Sequence, residues 1–209
     1  MERREFVAGA GAFAALLALA ACDPDTPEAS PTAEPEVVEL VADYPYYPSA
    51  RDAAEAATAI VTGTPVSSRF AVEGPLDPGA DDPDLNPQAG AEEVDPADLQ
   101  VPVTMTSVQV TAVIKGEGIA VGDQVEISQL GGLINGVRYV EQGAAYLSSS
   151  GSTVEVVAFL SREEPEEGPF HLINSRQALF EITGDDVQPL GGTEGIPGIS
   201  SVKDIEALA

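Results

Sequence analysis

Apolar and polar positions alternate with a period of two along most of the chain beyond residue 100, the spacing of strands that bury one face. The clearest run is VPVTMTSVQVTAVIK, residues 101–115. Val101, Val103 and Met105 alternate in one phase and Val108, Val110, Ala112 and Ile114 in the other, so the pattern predicts a long strand with a bulge or bend near Thr106 and Ser107. Gly116, Gly118 and Gly122 mark the next turn, and VGDQVEISQL returns as a strand. GLINGVRYV then sets Asn135 and Gly136 between apolar pairs, a two-residue hairpin signal. AAYL and TVEVVAFL flank SSSGS and predict another hairpin; the second segment is apolar on both faces, as a central strand is. PFHLI and QALFEIT are shorter strand candidates, followed by a turn at Gly184, Asp185 and Asp186.

Helical spacing is scarce. Ser49 is placed to cap a short helix in SARDAAEAATAI, with Asp52 three residues on to return the bond. From Ile60 the residues turn β-branched, and AIVTGTPVSSRFAV reads as a strand in which Gly63 marks a bulge or a close approach. After GGTEGIPGIS, VKDIEAL predicts a terminal helical turn. Many short strands with glycine turns predict an all-β domain over residues 49–190, with an acidic loop at 73–99 and a C-terminal tail at 191–209. A small closed or partly open barrel and a β-sandwich both fit that pattern.

The first 21 residues follow another rule. Arg3 and Arg4 precede 16 apolar or small residues, Phe6 to Ala21, a run shorter than the roughly 20 residues of a spanning helix and laid out as a cleavable export signal. Leu19, Ala20, Ala21 and Cys22 match the lipobox of bacterial lipoprotein signals. That resemblance implies a diacylglyceryl group on the Cys22 thiol, cleavage before it, and a mature protein held by lipid on the outer face of the cell membrane. One acyl chain binds membranes only marginally, while two or three anchor durably at about 0.8 kcal/mol per buried CH2. Arg3, Arg4 and Phe6 also resemble the twin-arginine export motif; the general secretory route requires only the positive charge. Cys22 is the sole cysteine, so no intramolecular disulfide is available to the fold. From Asp23 to Asp43 the chain has seven acids, four prolines and no base, which predicts a solvated tether through residue 48 with a reach of about 25 Å. YPYYP, residues 44–48, reads as a stiff lead-in whose rings pack on the domain, or as a polyproline-type ligand for a partner.

Composition narrows the partners. With 35 acids against 9 bases the formal charge is −26, a field that repels phosphate backbones and makes nucleic acid an unlikely partner. The tether would also keep so acidic a domain off an anionic bilayer.

TAIVTGTPVSS, SVQVTAVIKGEG, GDQVEISQLGG and EQGAAYLSSS together resemble the strand succession of netrin-like modules on an OB-fold barrel, and of uncharacterised bacterial lipoproteins with that layout, over roughly residues 56–150. Netrin-like modules carry disulfides that one cysteine cannot form. Those that inhibit metalloproteinases use a free N-terminal cysteine, which lipidation of Cys22 would remove. The resemblance therefore implies the barrel and not the inhibition.

Candidate chemistry is sparse. His171 is the only histidine, too few for a zinc site of the usual three or four ligands and without an evident nucleophile. SSSGS offers hydroxyls without a base. Asp82, Asp84, Asn86 and Glu93 fall at positions 1, 3, 5 and 12 of an EF-hand-like count, but Pro87 stands where the loop needs glycine. EEPEEG, residues 163–168, reads as a charged turn. No cofactor, metal or catalytic residue is expected. The sequence thus predicts a lipid-anchored envelope protein displaying a noncatalytic β-module for binding or scaffolding, its partner an envelope protein or ligand. An envelope enzyme using surface carboxylates and the solute-binding lipoprotein of an importer are the alternatives.

Overall fold

Ser49 opens the first helix as its spacing requires. In the computed structural model, which describes residues 35–74, 100–147, 154–162 and 168–209, its side chain accepts from the Asp52 amide and bonds the Asp52 carboxylate at 2.5 Å, at the head of α1 (Ala50–Ala56). Lys115 closes the other end, its Nζ donating to the carbonyls of Ala54 at 2.7 Å and Ala57 at 2.5 Å, a cation on the negative pole of the helix.

The rest is mostly β. The strands are β1 (Glu36–Leu40), β2 (Ala59–Glu73), β3 (Val101–Lys115), β4 (Gln124–Ile134), β5 (Val137–Glu141), β6 (Glu155–Ser161), β7 (Phe170–Leu172), β8 (Leu179–Thr183) and β9 (Asp186–Pro189). They form one nine-stranded mixed sheet in the order β1-β5-β4-β3-β2-β6-β8-β9, with β7 off that path. The pairs β1–β5 and β4–β7 are parallel and the others antiparallel. Because β7 bonds both β4 and β6, five strands, β2, β3, β4, β7 and β6, are linked in a partial ring.

β6 explains why TVEVVAFL is apolar on both faces. It lies between β2 and β8, and every residue from Val156 to Leu160 is buried. Phe159 and Phe180 stand tilted in the core with ring centroids 6.1 Å apart, among Ile60, Ile127, Leu160 and Leu179. Asn135 and Gly136, at φ 51° and 81°, form the tight turn between β4 and β5 that their order predicts. Gly63 is both a register irregularity and a close approach: a Cβ there would lie 2.5 Å from the Gln109 carbonyl oxygen.

Several expectations are corrected. The bulge expected in β3 at Thr106 and Ser107 lies on the neighbouring strand, where the register slips between Pro65 and Ser67 and leaves Val66 extra, while β3 and β4 stay in register from Val103 to Gln109. The phase change in β3 arises instead because Val103 through Thr106 are buried on both faces. AAYL is not a strand. It is an irregular segment braced by Gln129, whose Nε2 donates to the Ala145 carbonyl at 2.8 Å and whose Oε1 accepts from the Leu147 amide at 2.9 Å, and by the Ser175 carbonyl, which accepts from the Ala145 amide at 3.4 Å. The hairpin tip at 148–153 lies outside the described residues.

The expected solvated tether, 22–48, is ordered in its last part. The compact unit begins at Pro35, and β1 pairs with β5 from Glu36 to Leu40. EVVEL tolerates its acids because an edge strand keeps one side in water. Beyond it the YPYYP segment is docked by two buried amides. Asn174 Nδ2 donates to the Pro45 carbonyl at 2.9 Å; Gln177 Oε1 accepts from the Tyr47 amide at 2.9 Å, and its Nε2 donates to the Tyr47 and Gly195 carbonyls at 3.2 Å each. Tyr47 packs against the core while Tyr46 stays exposed. The expected tail, 191–209, belongs to the core as well: Ile196, Ile199 and Ile205 are buried, and α2 (Val202–Glu206) is closed by a capping box between Ser201 and Asp204. Hydrogen bonds from Ser200 and Ser201 hold the Asp204 carboxyl below its ordinary pKa. Among the described residues no helix is long and apolar enough to cross a membrane.

Candidate ligand-binding groove

Two cavities open on opposite faces of the β2–β3 ladder, since Phe70 faces Thr104 on one side and Ala71 faces Val103 on the other. The larger, about 560 Å³, falls within the range of small-molecule sites. Phe70 of β2, Leu133, Tyr139 and Val140 of the β4–β5 hairpin, and Tyr146 and Leu147 of the segment after β5 line it.

Two adjacent glycines make this shape possible. β4 pairs with β3 up to Leu130 and with β5 from Gly131, and the change of partner falls where Gly131 takes φ 104°. A Cβ on Gly131 would meet the Tyr146 hydroxyl at 2.6 Å, and one on Gly132 would stand 3.0 Å from the Phe70 ring. Any side chain at these positions would press on the aromatic rings that shape the groove. Past the irregularity at Val66, β2 leaves Phe70 and Val72 exposed, which carries apolar surface outward from the groove.

The groove's hydroxyls are mostly occupied inside the fold. Thr104 Oγ1 donates to the Gly131 carbonyl at 2.8 Å, and the Ser68 and Thr106 hydroxyls bond each other at 3.0 Å. The Tyr146 hydroxyl donates to the Leu130 carbonyl at 2.7 Å and accepts from the Glu141 amide at 2.7 Å. Burial, opposed by the Glu141 amide and reinforced by the Glu141 charge, raises its pKa. Arg138 is different. It is exposed and lines the groove, and among the described residues it has no carboxylate partner, whereas Arg51 pairs with Glu55 at 2.9 Å and Arg69 with Glu126 at 3.1 Å.

The second cavity, about 150 Å³, is lined by Tyr44, Glu73, Ser128, His171 and Ser175 among others. Two of its hydroxyls converge on a buried carboxylate: Glu141 accepts from Ser175 Oγ at 2.5 Å and from the Tyr44 hydroxyl at 3.3 Å. Burial first, and the Glu141 charge second, push the Tyr44 pKa up to about 12. Ser128 sits in register with His171 on β7, but its Oγ is buried without a hydrogen-bond partner, so His171 is not placed as its base. Among the described residues no three His, Cys, Asp or Glu side chains gather where they could hold a metal.

Arg3, Arg4, Phe6, Leu19, Ala20, Ala21 and Cys22 fall outside the described residues, as do Asp82, Asp84, Asn86 and Glu93, the SSSGS serines and most of EEPEEG. The residues that build the groove were not legible as a site. Their one sequence signal is the GGLINGVRY hairpin, which has paired glycines and one of the few bases of an acidic chain. Comparison with protein-family models, with curated proteins and with solved structures finds no match.

Proposed function

We propose that this protein is a lipid-anchored binding module of the bacterial cell envelope, tethered through Cys22 outside the membrane and noncatalytic. The observation that carries the binding role is the groove: an apolar concavity whose hydroxyls are largely bonded within the fold, and which offers a ligand shape and apolar contact rather than reactive groups. The anchor rests on Leu19, Ala20, Ala21 and Cys22 directly after an apolar run led by Arg3 and Arg4. The partial ring of β2, β3, β4, β7 and β6 supports reading the domain as a small OB-fold or netrin-like barrel that closes without disulfides.

Two measurements test this. The mature protein should have the mass of a chain starting at Cys22 plus acyl groups and should partition with membranes, and Cys22→Ser should release it; an untrimmed, lipid-free chain inside the cell would overturn the anchor. Solvent extraction of the membrane-isolated protein followed by mass spectrometry should recover a small molecule in stoichiometric amount. A Leu133→Trp variant, which fills the groove, should lack it; equal recovery from both would overturn the binding role.

A further inference from the structure

The groove's unoccupied donors identify what it recognises. Its lining supplies aliphatic and aromatic surface from Phe70, Leu133, Val140 and Leu147, suited to a flexible hydrocarbon. The Ser68, Thr104 and Tyr146 hydroxyls already have partners within the fold. Two polar groups in the lining have none among the described residues, the Arg138 guanidinium and the Tyr139 hydroxyl; being consecutive on β5 they point to opposite faces of the strand, so one ligand head meets only one of them, and Arg138 is the cation. Arg138 donates hydrogen bonds and is a permanent cation in a protein of formal charge −26. An apolar surface with a guanidinium at its β5 wall complements a molecule with a hydrocarbon body and a single anionic head. A neutral ligand would leave the guanidinium without a counter-charge, and a cationic one would meet it with repulsion. Glu39 of β1 is the nearest acid by register on the face of Arg138, two positions from the residue paired with it, yet it forms no ion pair with it.

Building on the binding role above, we infer that the groove takes a long-chain carboxylate of the fatty-acid class, with its chain along Phe70 and Leu133 and its head on Arg138. Arg138 supplies the bidentate, charge-assisted contact that a planar carboxylate fits.

The test uses the full chain carrying Cys22→Ser, so that no acyl group of its own competes, titrated with dodecanoate, dodecanol and dodecyltrimethylammonium by calorimetry. Dodecanoate should saturate at one per chain, dodecanol should bind at least tenfold more weakly, and the ammonium should show no saturable binding. Arg138→Gln should weaken dodecanoate roughly tenfold or more and leave dodecanol unchanged. Leu133→Trp, with its melting temperature checked, should abolish dodecanoate binding. Equal affinity for dodecanoate and dodecanol, unchanged in Arg138→Gln, would overturn the anionic specificity while leaving an apolar binding module in place. Dodecanoate binding that survives Leu133→Trp would place the site elsewhere, on the apolar residues 6–21 for example, and overturn the inference. Saturable binding of none of the three would overturn it too, and the solvent extraction would then decide whether the groove binds anything.

Discussion

Replacing Gly63 by alanine tests the register on which the groove depends. Gly63 sits inside β2 where the pairing with β3 slips between Thr62 and Gly63. A Cβ there would lie 2.5 Å from the Gln109 carbonyl oxygen and 2.6 Å from Val108 Cγ1, well inside the 3.4 Å at which ordinary contact begins. The first of these atoms is backbone in a paired strand and cannot swing away. Its φ is outside the left-handed region, so the cost is steric alone. Overpacking of this kind costs about 1–3 kcal/mol, and the backbone contact puts it near the upper end. Against it, alanine lowers the entropy of the unfolded chain by about 0.4–1 kcal/mol. The net loss is about 2 kcal/mol, or a fall in melting temperature of about 4–8 °C for a domain of this size. Gly74→Ala is the control, since a Cβ there meets nothing within 4 Å. It keeps only the entropic term and should raise the melting temperature by about 1–4 °C. Thermal unfolding followed by far-UV circular dichroism reads both. A Gly63→Ala protein melting within about 1 °C of the parent would refute the close approach, and with it the path of β2 into the groove.

Tyr44 should give the fold an alkaline limb. Its pKa is pushed from 10.0 up to about 12, so the native state holds the proton longer than the unfolded chain does; the associated stability is complete below pH 10 and lost between pH 10 and 12. Screening of the half-exposed ring limits this to about 1 kcal/mol. Tyr146 and Tyr47 shift in the same direction, so the quantity to measure is the difference in urea midpoint between the parent and Tyr44→Phe from pH 9 to 11; parallel curves would contradict the assignment. Gln177→Leu should undock the YPYYP segment, because it leaves the Tyr47 amide and carbonyl and the Gly195 carbonyl without their partner, at a cost of about 3 kcal/mol. Hydrogen exchange should show the Tyr47 amide losing protection while the Phe159 amide, bonded to Ala178, keeps more of its own; an unchanged Tyr47 rate would show that the segment is held by packing instead.

Much of the local structure was legible in the sequence because its causes are local. Ser49 and Asp52 define a helix start, Asn135 and Gly136 a turn with two positive φ angles, and the period-two runs of β3 and β6 their strands. Local signals misled where a distant residue supplied the partner. AAYL looks like a strand, but its backbone bonds go to the Gln129 side chain and to the Glu141 and Ser175 carbonyls rather than to a neighbouring strand ladder. The acids and prolines before residue 48 look solvated, yet β5 and the amides of Asn174 and Gln177 order residues 36–47. The C-terminal segment looks like a tail, and Ile196, Ile199 and Ile205 anchor it.

The sequence by itself determined the β character, the turns, the acidic charge and the Leu19–Cys22 pattern on which the anchor proposal stands, since each follows from neighbours in the chain. Only the tertiary structure decided that Phe70 of β2, Leu133 and Arg138 of the β4–β5 hairpin and Leu147 beyond it share one groove, and that Glu141 lies buried among Tyr44 and Ser175. Those residues are brought together by strand register across the sheet, and register is set by how the whole core packs.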